Sequence, residues 1–304
     1  MKVIVTGATG LVGRALIRSL LSEGHNVTRL VRGGAQAFSA PGTKAVHWEP
    51  EKASIDAKEL EGHDAAVHLA GDPISEGRWD EEKKKRIRES RVVGTRLLAE
   101  TLANLDEKPK VLVSASAIGF YGNRGGEVLR EESASGEDFL SEVCREWEKA
   151  TLAASQAGIR VVHLRIGVVL SATGGALPKM LTPFKLGVGG RVGSGKQYMS
   201  WITLDDLVGV IQRALDDEGL RGPVNAVAPQ PVTNEEFTKA LGGALGRPTI
   251  FSVPAFAARL AFGEMADALL LSSARVEPAR LKEAGYEFKH PNLEGALTQV
   301  LKKK

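Results

Sequence analysis

The sequence has a single cysteine, Cys144, in 304 residues. An intramolecular disulfide is therefore impossible, a disulfide-stapled secreted scaffold is excluded, and the count fits a reducing cytosol. Long apolar runs are missing too. The first stops at Thr6 and Gly7, and the longest, Val161 to Leu170, contains His163 and Arg165. No stretch approaches the length of a spanning helix and no targeting segment is visible, so a soluble, cytoplasmic protein without a membrane partner is expected. Neither sign of charge is in excess: 40 basic against 37 acidic side chains leave +3, too little to imply a nucleic-acid partner. Low-complexity tracts and internal repeats are absent. At 43% hydrophobic and 25% charged, a chain of this length can bury a large core, as one composite unit or two domains.

What is present starts at Lys2, where KVIVTGATGLVG reads as a buried strand, a glycine turn and the first turn of a helix. Val3, Ile4 and Val5 form a short β-branched run, as in a central parallel strand covered on both faces. Gly7, Gly10 and Gly13 recur every third residue. One glycine permits a tight turn at the strand end, one lets backbone approach a diphosphate, and one lets the helix pack against the strand. The helix from Leu11 aims its N-terminal amides at phosphates. The cofactor-binding set read from this turn is Thr6, Gly7, Gly10, Leu11, Val12 and Gly13. An apolar stripe follows through Leu16, Leu20 and Leu21, Gly24 ends the helix, and Asn26 to Val31 forms a second strand, completing a βαβ opening.

That second strand bears on which dinucleotide fits. An NAD site places a carboxylate at its end for the ribose hydroxyls, whereas a 2′-phosphate needs a positive charge there. No acid occurs between Gly24 and Glu49, and Val31 is followed by Arg32. The planar fork of Arg32 suits a phosphate, with Arg14 and Arg29 as secondary candidates, so NADP(H) is preferred over NAD(H).

Further strands are expected at Lys44 to Trp48, Asp64 to Leu69, Val111 to Ser114, Ile159 to Leu170 and Val224 to Ala228. Helices are expected at Asp80 to Leu105, Phe139 to Ser155, and from Thr203 to Leu215. Leu69, Ala70 and Gly71 end a parallel strand in small residues, where a dinucleotide passes closely. The first of these helices carries KKKRIRESR, residues 83 to 91. This run is a solvated face, or else Arg86 or Arg91 contacts a phosphate; it lacks the interleaved aromatics of a nucleic-acid surface. A Gly-rich region to Gly195 is expected to leave the sheet and cover the crevice. Beyond Pro229 the pattern turns helical, with a Thr233/Glu236 capping box. The fold class is α/β, a Rossmann-type doubly wound parallel sheet with a smaller, mainly helical C-terminal substrate-side domain. Residues 1–170, completed by 201–228, make the dinucleotide-binding domain, and residues 171–200 and 229–304 the substrate side.

The spacing in TGATGLVG, Leu69-Ala70-Gly71, the SASAIGFYG segment and LRIGVVLS together resemble an extended short-chain dehydrogenase/reductase. The RW pair at Arg78-Trp79, SRVVGT, VCREWE, GVGGRVGSGKQYMSWIT and the tail SSARVEPARLKEAGYEF resemble one atypical branch, the NAD-dependent epimerase/dehydratase-like family with its own C-terminal extension. The resemblance implies NADP binding through Val31, Arg32, Leu69, Ala70, Arg86 and Arg91. It also implies that Ser116 polarises a substrate carbonyl. The superfamily's Tyr-x-x-x-Lys pair is missing: Cys144 and Glu148 stand in those places, so proton transfer by the standard route is in doubt. Tyr121 is the only nearby phenol, as a proton donor or as packing at the crevice wall. Cys144 is a nucleophile only if its pKa is lowered and a base lies beside it; otherwise it is a buried helix cysteine.

Two functions are carried forward. One is an NADP(H)-dependent oxidoreductase or epimerase acting on a hydroxyl or carbonyl of a polar small molecule, a nucleotide sugar being one candidate, with Ser116 and Tyr121 as catalytic residues and no metal. The other is a catalytically inactive NADP(H)-binding protein that regulates a partner. Oligomeric state is not legible.

Overall fold

The computed structural model describes residues 1–33 and 40–302, so the Gly, Ala and Ser-rich loop expected after Arg32 lies mostly outside the described residues. At its centre is an eight-stranded sheet, counted among those residues. Its strands are β1 (Lys2–Thr6), β2 (Asn26–Val31), β3 (Thr43–Glu49), β4 (Ser54–Ile55), β5 (Ala65–His68), β6 (Val111–Ala117), β7 (Arg160–Ile166) and β8 (Gly222–Ala226). The order across the sheet is β8-β7-β6-β5-β1-β2-β3-β4, with only β4 antiparallel to its neighbour. Chain order reverses between β1 and β5, which opens a crevice at their carboxyl ends.

Burial explains the apolar run that starts the chain. Val3, Ile4 and Val5 are fully buried because β1 is central and covered on both faces. Val3 and Val5 pack with Leu16, Ile17 and Leu20 of α1 (Leu11–Ser22), and with residues of the later helix Leu204–Asp216. Ile4 points the other way, into a cluster with Leu98 and Leu102 of α2 (Glu81–Ala103). Asp80 caps α2 by accepting the Lys83 N–H at 2.7 Å.

Three expected elements differ from the structure. β6 runs on to Ala117, so Ser116 lies within the strand, in register with Arg165 of β7. The helix expected over 139–155 is two: α3 (Phe139–Lys149) and α4 (Leu152–Gln156). Between them the Thr151 hydroxyl donates to the Glu148 carbonyl at 2.8 Å, a local bond that competes with helix continuation. The strand expected over 159–170 breaks at Gly167, where an added Cβ would lie 2.7 Å from the Ser200 carbonyl oxygen. Beyond the break, Val168–Leu170 leaves the large sheet and pairs with Trp201–Thr203.

Apart from the two clusters that cover the sheet, α5 (Leu177–Lys185), α7 (Asn234–Leu245) and the helix Leu293–Lys302 share a core around Trp201, Phe184 and Phe237. Between α5 and α7 in the chain, α6 (Leu204–Asp216) begins at its Thr203 cap. The Asp206 carboxylate on α6 accepts the backbone N–H groups of Lys289 at 2.7 Å and His290 at 3.1 Å, which fastens the C-terminal segment to the sheet layer. The Thr233/Glu236 capping box that opens α7 is present. Among the described residues no helix is long and apolar enough to cross a membrane.

Candidate functional site

The crevice is built by the ends of β1 and β5. Thr6 Oγ1 accepts the backbone N–H groups of Leu69 at 3.1 Å and Ala70 at 3.2 Å, leaving its own proton for His68 Nδ1 at 2.8 Å. This binds the two strand ends through one hydroxyl. Buried His68, with no polar group against its Nε2, has its pKa lowered by desolvation from 6.5 to about 4 and is a neutral imidazole.

Two of the three glycines are steric necessities. Gly7 has φ +66°, and a Cβ there would lie 2.6 Å from the Leu69 carbonyl. A Cβ on Gly13 would come within 2.2 Å of the Gly7 carbonyl oxygen. Gly10 is different: its nearest neighbour would be that same oxygen at 3.3 Å, so the space above it is open. No side chain caps α1, leaving the first-turn amides from Leu11 to Gly13 facing this open space. A backbone cradle with open amides at a helix N-terminus is the donor set that a diphosphate needs.

At the end of β2, Val31 is half-buried and Arg32 is exposed, without an ion pair or hydrogen bond among the described residues. The nearby acid, Glu49, is held by Lys52 at 2.7 Å and His47 at 3.1 Å, so among the described residues Arg32 is a charge left uncommitted. Arg29 is buried in β2 and its Nε donates to Thr43 at 2.7 Å. Arg14 lies exposed on α1.

The arginines of α2 divide. Arg91 sits against Gly71, where an added Cβ would meet its Cζ at 3.3 Å, and it donates to the Ile87 and Asp72 carbonyls at 3.0 and 3.1 Å. Its guanidinium lies 5.2 Å over the Trp147 ring, and burial lowers its pKa despite Cys144 and Asp72. Arg86, by contrast, is exposed and pairs with Glu82 one turn away.

Behind the crevice a buried polar chain links β6, α3, β7 and β8. The Ser116 hydroxyl donates to Glu148 Oε1 at 2.8 Å, and Glu148 holds Arg165 with both oxygens, at 2.8 and 2.9 Å. Arg165 donates onward to the Tyr121 hydroxyl at 3.0 Å, and that hydroxyl donates to Asn225 Oδ1 at 2.6 Å. Burial opposes charge on Arg165, but the bonds from Glu148 outweigh it and raise its pKa.

Of the two roles open to Tyr121, proton donor or packing, its surroundings favour packing. Its side chain is fully buried, its oxygen is committed as both acceptor and donor, and burial raises its pKa against the pull of Arg165. The Cys144 thiol is likewise shut in, with its pKa pushed up to about 12 by burial and by Glu148, so nucleophilic chemistry is not open to it. Ser116 is buried too, 2% exposed, and donates its one proton to Glu148, so its oxygen is left only as an acceptor. Sequence reasoning overlooked His68 and Asn225; an Arg inside the apolar strand of β7 was the one available signal of a buried charge network. Among the described residues no cluster of His, Cys, Asp or Glu could hold a metal.

Comparison with known proteins agrees with this geometry. Residues 3–226 match the family model described as the NAD dependent epimerase/dehydratase family, and residues 253–300 match a domain of unknown function, DUF1731. The chain belongs to the NAD dependent epimerase/dehydratase family. A family member from Mycobacterium bovis is 43% identical over 97% of this chain and 96% of its own. A human epimerase family protein, SDR39U1, is 36% identical over 99% of this chain and all of its own. The crystal structure of human SDR39U1 isoform 2 with NADPH superposes at a TM-score of 0.90, with 34% identity and full coverage of both chains. UDP-glucose 4-epimerase from Thermotoga maritima, solved with UDP-glucose, shares the fold at a TM-score of 0.78 and 17% identity, over all of this chain and 99% of its own.

Proposed function

We propose that this chain binds NADP(H) across the β1/β5 crevice and serves hydride transfer at a hydroxyl or carbonyl of a polar small molecule, a nucleotide sugar being the leading class. The observation that carries the reading is the cradle of Gly7, Gly10 and Gly13 against Leu69 and Ala70, with uncommitted Arg32 beside it. NADPH in the human relative supports it. The cofactor-binding set is Thr6, Gly7, Gly10, Leu11, Val12, Gly13, Val31, Arg32, Leu69, Ala70, Gly71 and Arg91; Arg86, paired with Glu82, is left outside it.

When bound, the nicotinamide supplies or accepts the hydride. The rest is for the protein's own side chains. Ser116 Oγ, its own proton donated to Glu148, is the group to accept a hydrogen bond from a substrate hydroxyl, and Glu148 is the acceptor towards which a proton passing through that hydroxyl would move. Neither Tyr121 nor Cys144 takes part.

Calorimetric titration with NADPH and NADH tests the cofactor reading; equal affinities overturn the preference. The buried thiol and paired acid at the superfamily's Tyr and Lys positions favour a second reading, a non-catalytic NADP(H)-binding regulator. Loss of NADPH absorbance on adding sugar nucleotides or small carbonyls separates the two, since a regulator binds without turnover.

A further inference from the structure

The C-terminal part of the chain carries exposed apolar side chains that no other described residue covers. Leu186, Val188, Ile250, Phe251, Phe256 and Leu260 are each more than half exposed. A small sheet joins the segments that carry them: Gly190–Val192 pairs in parallel with Phe251–Val253, so tightly that a Cβ on Gly190 would lie 1.9 Å from the Phe251 carbonyl oxygen. Leu186 and Val188 lead into the first strand and Ile250 into the second. Two residues beyond that second strand, α8 (Ala255–Phe262) presents Phe256 and Leu260 one turn apart.

Area, charge and backbone all bear on what covers this face. Taking about 200 Å² as the full surface of a large apolar side chain, the six residues offer on the order of 800 Å². The largest apolar patch of a typical monomer is about 300–600 Å², whereas a standard interface takes about 800 Å² from each partner. Residues 248–258 contain no charged side chain. At the border, Arg259 is answered by Asp267 at 2.9 Å and Arg191 by Glu235 at 3.9 Å, within the chain itself. Such a face has little to offer a highly charged partner and does not repel its own copy. Finally, among the described residues the Phe251–Val253 strand pairs on one edge only, and an open edge is completed by another strand.

We propose that this face is a homodimer interface, in which a second copy of the chain, related by a two-fold axis, lays its Phe251–Val253 strand antiparallel against this one with Phe256 and Leu260 packed across the junction. Self-complementarity is what a two-fold contact requires. The proposal is independent of the cofactor reading.

Sedimentation velocity of the full chain over a wide concentration range tests it. The wild type is expected to sediment as a dimer, and Phe256→Glu and Leu260→Glu as monomers with unchanged circular dichroism. Ser252→Cys, at an exposed position in the middle of the strand, adds a test that survives if the glutamate variants fail to fold. Oxidation is expected to cross-link it into covalent dimers, with buried Cys144 unreactive. A monomeric wild type, a dimer that persists in both folded glutamate variants, no cross-link in Ser252→Cys, or a monomer that co-sediments with phosphatidylglycerol vesicles overturns the proposal.

Discussion

The Glu148 carboxylate grips the Arg165 guanidinium as a fork on a fork, at 2.8 and 2.9 Å, with Arg165 4% exposed and Glu148 12% exposed. Ordinary surface ion pairs contribute little, but removing one partner of a buried pair strands a charge and costs about 3–5 kcal/mol. Glu148→Ala is expected to destabilise the protein by that order in urea unfolding. Glu148→Lys, which restores the residue type that the superfamily pattern carries there, is expected to be worse, because it sets an ammonium against the guanidinium. A Glu148→Lys protein of wild-type stability would contradict the account.

Tyr121→Phe removes an oxygen that accepts from Arg165 and donates to Asn225. Both partners are then left short of a bond in a buried site, a loss of about 1–3 kcal/mol. NADPH affinity is expected to stay unchanged, since the hydroxyl does not face the crevice. A variant of normal stability with weakened NADPH binding would return Tyr121 to the site.

Much of the sheet was legible because its signals are local. The β-branched run of β1, the stripe of α1 and the glycine spacing all act within a dozen residues, and each constrains the chain whatever follows. The breaks were not legible because they depend on distant partners. Gly167 interrupts an otherwise continuous apolar strand only because the Ser200 carbonyl passes beside it. For Tyr121 the sequence left proton donation and packing open; its hydroxyl is claimed by Asn225, 104 residues away, and by Arg165, 44 residues away. The strand and helix ends that carry the glycine turn, Arg32 and Leu69-Ala70 were legible from sequence, whereas the extension of β6 through Ser116 was not, and for Cys144 the sequence left burial and reactivity side by side.

The glycines offer a split between folding and binding. Gly13→Ala drives a Cβ into the Gly7 carbonyl oxygen, and overpacking of this kind costs about 1–3 kcal/mol. Gly10→Ala meets only a 3.3 Å neighbour and is expected to fold normally. Its methyl group nevertheless occupies the space over the first-turn amides of α1, so NADPH affinity should fall at least tenfold. Thermal melts and calorimetry on the two variants read the two effects separately. Wild-type NADPH affinity in Gly10→Ala would move the diphosphate elsewhere.

Arg32→Ala tests the choice between dinucleotides. A hydrogen bond to a charged group contributes about 1.5–3 kcal/mol, or roughly 10–100-fold in affinity. NADPH binding is expected to weaken by that factor while NADH binding changes little, because only NADPH carries the 2′-phosphate. Equal weakening of both cofactors would place Arg32 outside the discriminating contact.

Acid should loosen the crevice through His68. Its pKa is depressed from 6.5 to about 4, so between those values the unfolded chain takes up a proton that the folded chain refuses. Stability from this group is complete above pH 6.5 and is lost as the pH falls toward 4, a total of about 3 kcal/mol by linkage. The cost is the desolvation of a buried imidazolium; a proton on Nδ1 would also turn the Thr6 hydroxyl, which holds the Leu69 and Ala70 amides. NADPH affinity is therefore expected to decline over the same acid range as stability. His68→Gln should flatten both profiles relative to wild type, measured by urea unfolding and calorimetry at stepped pH; profiles parallel to the wild type would acquit His68 and assign the acid sensitivity to other groups.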